Sequence, residues 1–231
     1  MTTDQVLADL EALGEPVFKA GLSKFAINPA TALGIRLPVL RHYARAYRRN
    51  HQLALDLWET KVHEARLMAV FIADPKQATE ALLEKWVSDF NSWDICDQAC
   101  GGLFDKTPYA WDKAREWAAR EPEFEKRAGF ALMAYLAIHD KRARDEQFLA
   151  FFPYIKAGSD DDRNFVKKAV NWAIRQIGKR NLVLHAAVMA LTREIQVQGS
   201  KSGRWIAADA LRELESQKVL DGLQKKKEKD S

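Results

Sequence analysis

Apolar residues recur at three- and four-residue spacing along nearly the whole chain. No segment shows the strict alternation that a half-buried strand needs. In NFVKKAVNWAIRQIGK, residues Phe165, Val166, Ala169, Val170, Ala173, Ile174 and Ile177 fall on one face of a helical wheel. The same spacing predicts helices over Thr3–Leu13, Pro38–Arg49, Leu53–Trp58, Glu64–Ile72, Gln77–Phe90, Trp93–Phe104, Pro108–Arg120, Glu123–His139, Arg144–Phe152, Asn164–Lys179, Leu182–Ile195 and Gly203–Glu215. Pro38, Pro108 and Pro122 stand at or just before predicted starts, and Gly178 closes a helix. The fold class that follows is all-α.

Short helices joined by brief connections and arriving in consecutive pairs favour stacked antiparallel hairpins over a closed bundle. The expected architecture is an α-α superhelix of degenerate HEAT-like pairs, a curved solenoid with a concave basic face. One domain is expected over residues 1–220, with residues 221–231 (DGLQKKKEKDS) as a charged, flexible tail.

Composition narrows the function classes. An apolar share of 47% over 231 residues is ample for a core without covalent staples. The two cysteines, Cys96 and Cys100, lie four apart and would share a helix face; His63, His139 and His185 are scattered. This is too few clustered ligands for a zinc site, so small buried thiols, no metal and no cofactor are expected. No apolar run approaches the ~20 residues of a membrane span, and the N-terminal MTTDQVLADLEALG is polar and amphipathic rather than a signal peptide. A soluble, cytoplasmic, monomeric protein with no membrane partner is expected. A net charge of +4 permits nucleic acid without requiring it, so the placement of charge decides. Seven Trp is a high count, and Trp is rarely spent on core packing alone, because its N–H needs a partner and its ring suits stacking surfaces.

Four stretches do not read as core. On the helix over Asn164–Lys179, Lys168, Trp172, Arg175 and Lys179 share a sector of about 60°, off the apolar face. An aromatic flanked by cations suits phosphates and a sugar or base, while a solvated basic face is the plainer alternative. In GIRLPVLRHYARAYRR, Arg41, Arg45, Arg48 and Arg49 recur with no acidic residue to pair them, which reads as a phosphate-facing edge or a solubility device. Arg127 stands near the N-terminal end of a helix that is apolar all round from Ala128 to Ile138, where the dipole disfavours a cation. An anion should compensate it, from a neighbouring helix, a phosphate or a catalytic carboxylate. Lys201 and Arg204 flank the start of the helix at Gly203, where Ser202 is a plausible N-cap and free N–H groups could hold a phosphate.

The run NSWDICDQAC, Asn91–Cys100, combines these signals. Ser92 is a plausible N-cap and Asp94 sits in the first turn, where a carboxylate favours the dipole. Ile95, Cys96, Ala99 and Leu103 make the apolar face. Trp93 and Asp97, four apart, project together at its border. Helix rules account for Asp94 but not for Asp97, whose motive is a cation such as Arg127, or chemistry.

The stretches GIRLPVLR, HEARLMAVFIAD, WDICD and FVKKAVNWAIRQIGK, with weaker support from RWIAADALREL, resemble the AlkD-type DNA alkylation repair proteins, a family of HEAT-like all-α DNA glycosylases. The resemblance spans most of the chain. It implies a catalytic Asp at Asp97, a preceding aromatic at Trp93, a second aromatic at Trp172 and an active-site Arg at Arg127. It implies hydrolysis of the N-glycosidic bond of cationic N3- or N7-alkylpurines in double-stranded DNA. Backbone contacts then fall to Arg41, Arg45, Arg48, Lys168, Arg175, Lys179, Lys201 and Arg204. The approach EPEFEKR and the Cys96 of WDICD depart from the family pattern. Two other classes stay open: a non-catalytic relative that binds damaged or branched DNA, and a HEAT-like protein–protein scaffold.

Overall fold

The computed structural model describes residues 2–230. Among them the regular secondary structure is helical throughout, as the periodicity predicts. The chain divides into two compact units, Met1–Thr107 and Pro108–Ser231, a boundary not drawn from the sequence.

The first unit contains α1 (Thr3–Ala12), α2 (Pro16–Gly21), α3 (Leu37–Ala44), α4 (His51–Glu59), α5 (His63–Ile72), α6 (Glu80–Ser88) and α7 (Trp93–Gly102). Thr2 caps α1 reciprocally with Gln5: the Thr2 hydroxyl accepts from the Gln5 N–H and the Gln5 amide oxygen accepts from the Thr2 N–H. The predicted helix Pro38–Arg49 ends early, with α3 passing into a 3₁₀ turn over Arg45–Tyr47 and Arg49 adopting φ +63°. The cause lies one residue on. The Asn50 side chain caps α4 by accepting from the Leu53 N–H at 3.2 Å, so the chain must leave the helical conformation before it.

Helix α2 and the 3₁₀ turn Leu22–Phe25 escape sequence periodicity because each is too short to repeat it. The following loop is tied down by Glu64 at the start of α5, which is 1% exposed. Its carboxylate accepts from the N–H groups of Leu33 and Gly34, both at 2.7 Å, and of Ile35 at 3.1 Å. Gly34 sits at φ +88°, and a Cβ there would lie 2.7 Å from the Glu15 carbonyl oxygen. Only glycine fits.

The core of this unit corrects the reading of tryptophan. Trp58 and Trp86 are fully buried and stacked at 4.1 Å, and the Trp58 indole N–H donates to Asp89 at 2.8 Å. Trp117, in the second unit, is buried too. Three of the seven therefore serve packing, with the polar handle of Trp58 satisfied internally.

The second unit contains α8 (Ala110–Ala118), α9 (Glu123–His139), α10 (Asp145–Leu149), α11 (Phe152–Gly158), α12 (Asn164–Gly178), α13 (Leu182–Gln198), α14 (Lys201–Leu214) and α15 (Gln217–Asp230). Helix α9 is the centre, buried almost all round and packed against α8 on one side and α12 on the other. Gly129 permits the close approach to α8, because a Cβ there would meet the Ala118 backbone nitrogen at 2.2 Å. Helix α12 also packs on α13 and α14, and its Asn171 side chain donates to the Ile206 carbonyl at 3.1 Å. The C-terminal charge run is helical as far as Asp230; Ser231 lies outside the described residues. Lys226 explains the docking of α15 in part. Its ammonium donates to the Lys179 carbonyl at 2.6 Å, completing a helix end that lacks further N–H donors.

Candidate functional site

Helix α7 begins where predicted. Ser92 occupies the N-cap position, but its hydroxyl makes no capping bond. Asp94 performs that local work, accepting from the Ile95 N–H at 3.0 Å. Its other oxygen meets Nε2 of His63 at 2.9 Å, a link from α7 to the start of α5. Burial pushes the Asp94 carboxyl up, yet the hydrogen bond and charge of His63 outweigh it and hold the group below the usual carboxylate range. The His63 backbone N–H donates to the Thr31 carbonyl at 2.8 Å. His63 and Glu64 thus fasten both α7 and the 31–35 loop to one helix start.

Asp97 lies one turn after Trp93 on the same helix and is 9% exposed. Its charge reaches the neighbouring Cys100, whose thiol is pushed up by burial and by its hydrogen bond with Cys96. Neither cysteine is in a disulfide and both are fully buried, which makes them unreactive packing groups. Trp93 is partly exposed, and its indole N–H donates to the Phe25 carbonyl at 2.8 Å. Arg41 on α3 reaches α7 as well, donating to the Gln98 amide oxygen at 2.6 Å while its guanidinium sits 5.0 Å over the Phe71 ring. Arg45 and Arg48 are exposed.

The second unit carries the other predicted site residues. Arg127 on α9 is 6% exposed and donates to the Phe165 carbonyl of α12 at 2.6 Å. Trp172 on α12 is partly exposed and meets Tyr135 of α9 edge to face at 4.9 Å. With the Gln176 amide turned to satisfy both donors, its oxygen accepts from the Trp172 indole N–H at 3.1 Å and from Lys179 at 3.3 Å. Arg127 and Trp172 are therefore both held by the α9–α12 pair.

The stripe on α12 is less free than its spacing suggests. Arg175 and Lys179 both pair with Glu213 of α14, Lys179 at 2.7 Å. Burial raises the Glu213 carboxyl and the hydrogen bonds from Lys179 and Arg175 lower it further than that, leaving it below the usual range. Lys168 is exposed, as are Lys201 and Arg204 at the start of α14. The cap of α14 is Ser200, which accepts from the Gly203 N–H at 2.9 Å. Ser202, expected as the cap, instead donates to the Asp161 carbonyl at 2.8 Å. The helix starts two residues earlier than the Ser202 cap requires, and that hydroxyl faces inward.

Residues 6–214 match the family of DNA alkylation repair enzymes. The chain belongs to this family. A solved structure superimposes with a TM-score of 0.73, at 22% sequence identity, over 84% of this chain and 83% of that one. It comes from a group described as a new family of proteins related to the HEAT-like repeat DNA glycosylases with affinity for branched DNA structures. That likeness shows a HEAT-like fold. No curated protein matches.

Two features of this repair-family chain are absent from the sequence reading. Phe25 is 58% exposed, in the 3₁₀ turn whose carbonyl anchors Trp93, and the next residue, Ala26, holds φ +58°. Trp205, on α14, is 41% exposed, with the Lys167 ammonium 5.0 Å from its ring centre. An apolar moment finds the buried face of a helix, and Phe25 and Trp205 lie off any such face. An aromatic standing outside the apolar stripe and beside cations is the signal that could have found Trp205. Among the described residues no cluster of three or more His, Cys, Asp or Glu could hold a metal ion, and no helix is long and apolar enough to cross a membrane.

Proposed function

We propose that the protein is a DNA glycosylase that hydrolyses the N-glycosidic bond of cationic N3- or N7-alkylated purines in duplex DNA. The observation that carries the reading is Asp97, a buried carboxylate one helical turn from a partly exposed indole, in a chain of the DNA alkylation repair enzyme family. Alkylation has already placed a positive charge on the base. Cleavage of the bond between C1′ and the base nitrogen sends the electron pair to the base, which leaves neutral and needs no general acid. The sugar left behind carries the charge as an oxocarbenium-like centre. Asp97 stabilises that charge and orients the water that attacks C1′, whose proton passes to the carboxylate or solvent. Trp93, one turn before Asp97 on α7, offers its π face to the cationic sugar. Arg127 serves as a fixed cation for the lesion's phosphate.

Base release tests this directly. Wild-type protein incubated with methylated duplex DNA should liberate 7-methylguanine or 3-methyladenine, separated by chromatography. Asp97→Asn should slow release by orders of magnitude while duplex affinity survives. Absence of base release from the wild type, at enzyme in excess over lesions, would sink the enzymatic reading.

A second reading has one observation in its favour. The superimposed structure belongs to a group with affinity for branched DNA. A non-catalytic protein of that kind would bind a four-way junction more tightly than a linear duplex of equal length and release no base.

A further inference from the structure

Trp205 lies off the core-facing side of its helix. The core-facing side of α14 is made by Ile206, Ala207, Ala210 and Leu214, all fully buried. Trp205 stands beside that face with 41% of its surface in solvent. Exposed indole costs hydrophobic stabilisation, and three other tryptophans of this chain are fully buried.

Its surroundings are cationic from two helices. Lys167 of α12 lies over the ring at 5.0 Å. Lys201 and Arg204 precede it by four and one residues on α14, and both are exposed. Arg204 donates to the Gly199 carbonyl, which closes the αL turn before the helix and leaves the guanidinium with further donors. The carboxylates along these helices are engaged elsewhere. Asp209 pairs with Arg212 and Glu213 with Arg175 and Lys179, while Asp161 is held by Arg163 at 2.5 Å and Lys126 at 3.3 Å. Asp160 accepts from Gln198 at 2.9 Å, and Asp162 is exposed in the loop before α12.

We infer that Trp205, with Lys167, Lys201 and Arg204, forms a stacking site for an unpaired nucleotide of DNA, built wholly from residues of the second unit. An aromatic face among cations is the arrangement that binds single strands, with the ring stacking on a base and the cations holding the flanking phosphates. Inside a duplex each base is covered above and below by its neighbours. A side chain on a helix surface reaches a base face only where pairing or stacking is already open. The occupant is therefore a single-stranded stretch, such as an overhang, gap or branch arm, and its phosphate draws Lys167 away from the ring that the base then covers. This inference rests on the DNA-binding part of the proposed function but not on base release.

The test compares binding of full-length protein, by fluorescence anisotropy, to a blunt duplex and to the same duplex carrying an oligo-dT overhang of about eight nucleotides. Wild type should prefer the overhang. Trp205→Ala should weaken overhang binding about tenfold and leave the blunt duplex within about twofold, while Trp205→Phe keeps most of the preference. Lys201→Gln with Arg204→Gln should flatten the salt dependence of overhang binding. Circular dichroism of each variant establishes that the exposed position is not needed for folding. An unchanged overhang preference in Trp205→Ala would overturn the site, as would equal losses on both substrates. Competition by polyglutamate as effective with Trp205→Ala as with wild type, and as effective as oligo-dT, would overturn stacking and leave a merely electrostatic patch. A wild type that releases no base but loses overhang preference on Trp205→Ala would refute the glycosylase reading and support this site. Base release with a neutral Trp205→Ala would do the reverse.

Discussion

Glu213→Gln separates a structural role of the α12 cations from a DNA-facing one. In the native protein one carboxylate holds both Arg175 and Lys179. The cluster therefore presents one net positive charge where the sequence stripe suggests two. Replacing Glu213 with the neutral amide raises that net charge by one and frees two cations to meet phosphate. Each phosphate neutralised contributes a slope of about −0.9 to log K against log salt. At 0.1 M salt that corresponds to about an eightfold gain in affinity for one new phosphate contact and about sixtyfold for two. The cost in stability is small, because all three side chains are partly solvent-exposed and such pairs contribute about 1 kcal/mol or less. The pH dependence provides an internal control. A carboxyl held below its ordinary range stabilises the fold above the unfolded-state pKa, and that stabilisation disappears as pH falls through the folded value. Glu213→Gln should remove this portion of the acid-side loss in thermal melts. Anisotropy titrations of duplex DNA over a range of salt read the affinity and the slope together. A folded variant with unchanged slope and affinity would refute the reasoning: Arg175 and Lys179 would then serve to dock α14 on α12.

Two further perturbations test how the first unit holds α7. Glu64→Gln replaces a buried carboxylate that accepts three backbone N–H bonds with an amide carrying one acceptor oxygen, and should cost about 3 kcal/mol in denaturant unfolding. His63→Gln removes the partner that keeps Asp94 low, and should cost about 2 kcal/mol near neutral pH. Since the folded Asp94 carboxyl is depressed, its stabilisation is present above the unfolded-state pKa and lost on acidification. The difference between wild type and His63→Gln should therefore shrink as pH falls through the carboxylate range, measured by thermal melts. A difference constant across that range would show that His63 acts through packing alone.

The residues of α7 and α12 show how far the sequence reaches. Trp93 and Asp97 stand out because helix geometry is local: four residues bring two side chains to one face, whatever the rest of the chain does. The same rule assigns Asp94 to the first turn and puts Lys168, Trp172, Arg175 and Lys179 in one sector. It also makes the chain all-helical and, through the quoted motifs, points to the DNA alkylation repair family. Partners far apart in sequence follow no such rule. Glu213 reaches Arg175 across 38 residues, His63 reaches Asp94 across 31, and Lys167 reaches Trp205 across the same packed pair of helices. Each contact depends on which ridge of one helix lies against which of another, and many sequences of equal periodicity would choose differently. The division of the tryptophans follows from that choice. Trp58, Trp86 and Trp117 became core, while Trp93, Trp172 and Trp205 kept solvent-facing surface. What the sequence alone determined is the helical class and the face each side chain occupies on its own helix. Tertiary packing decided which of those faces remain open and which cations remain free, because a charge is committed or available only once its neighbours are in place.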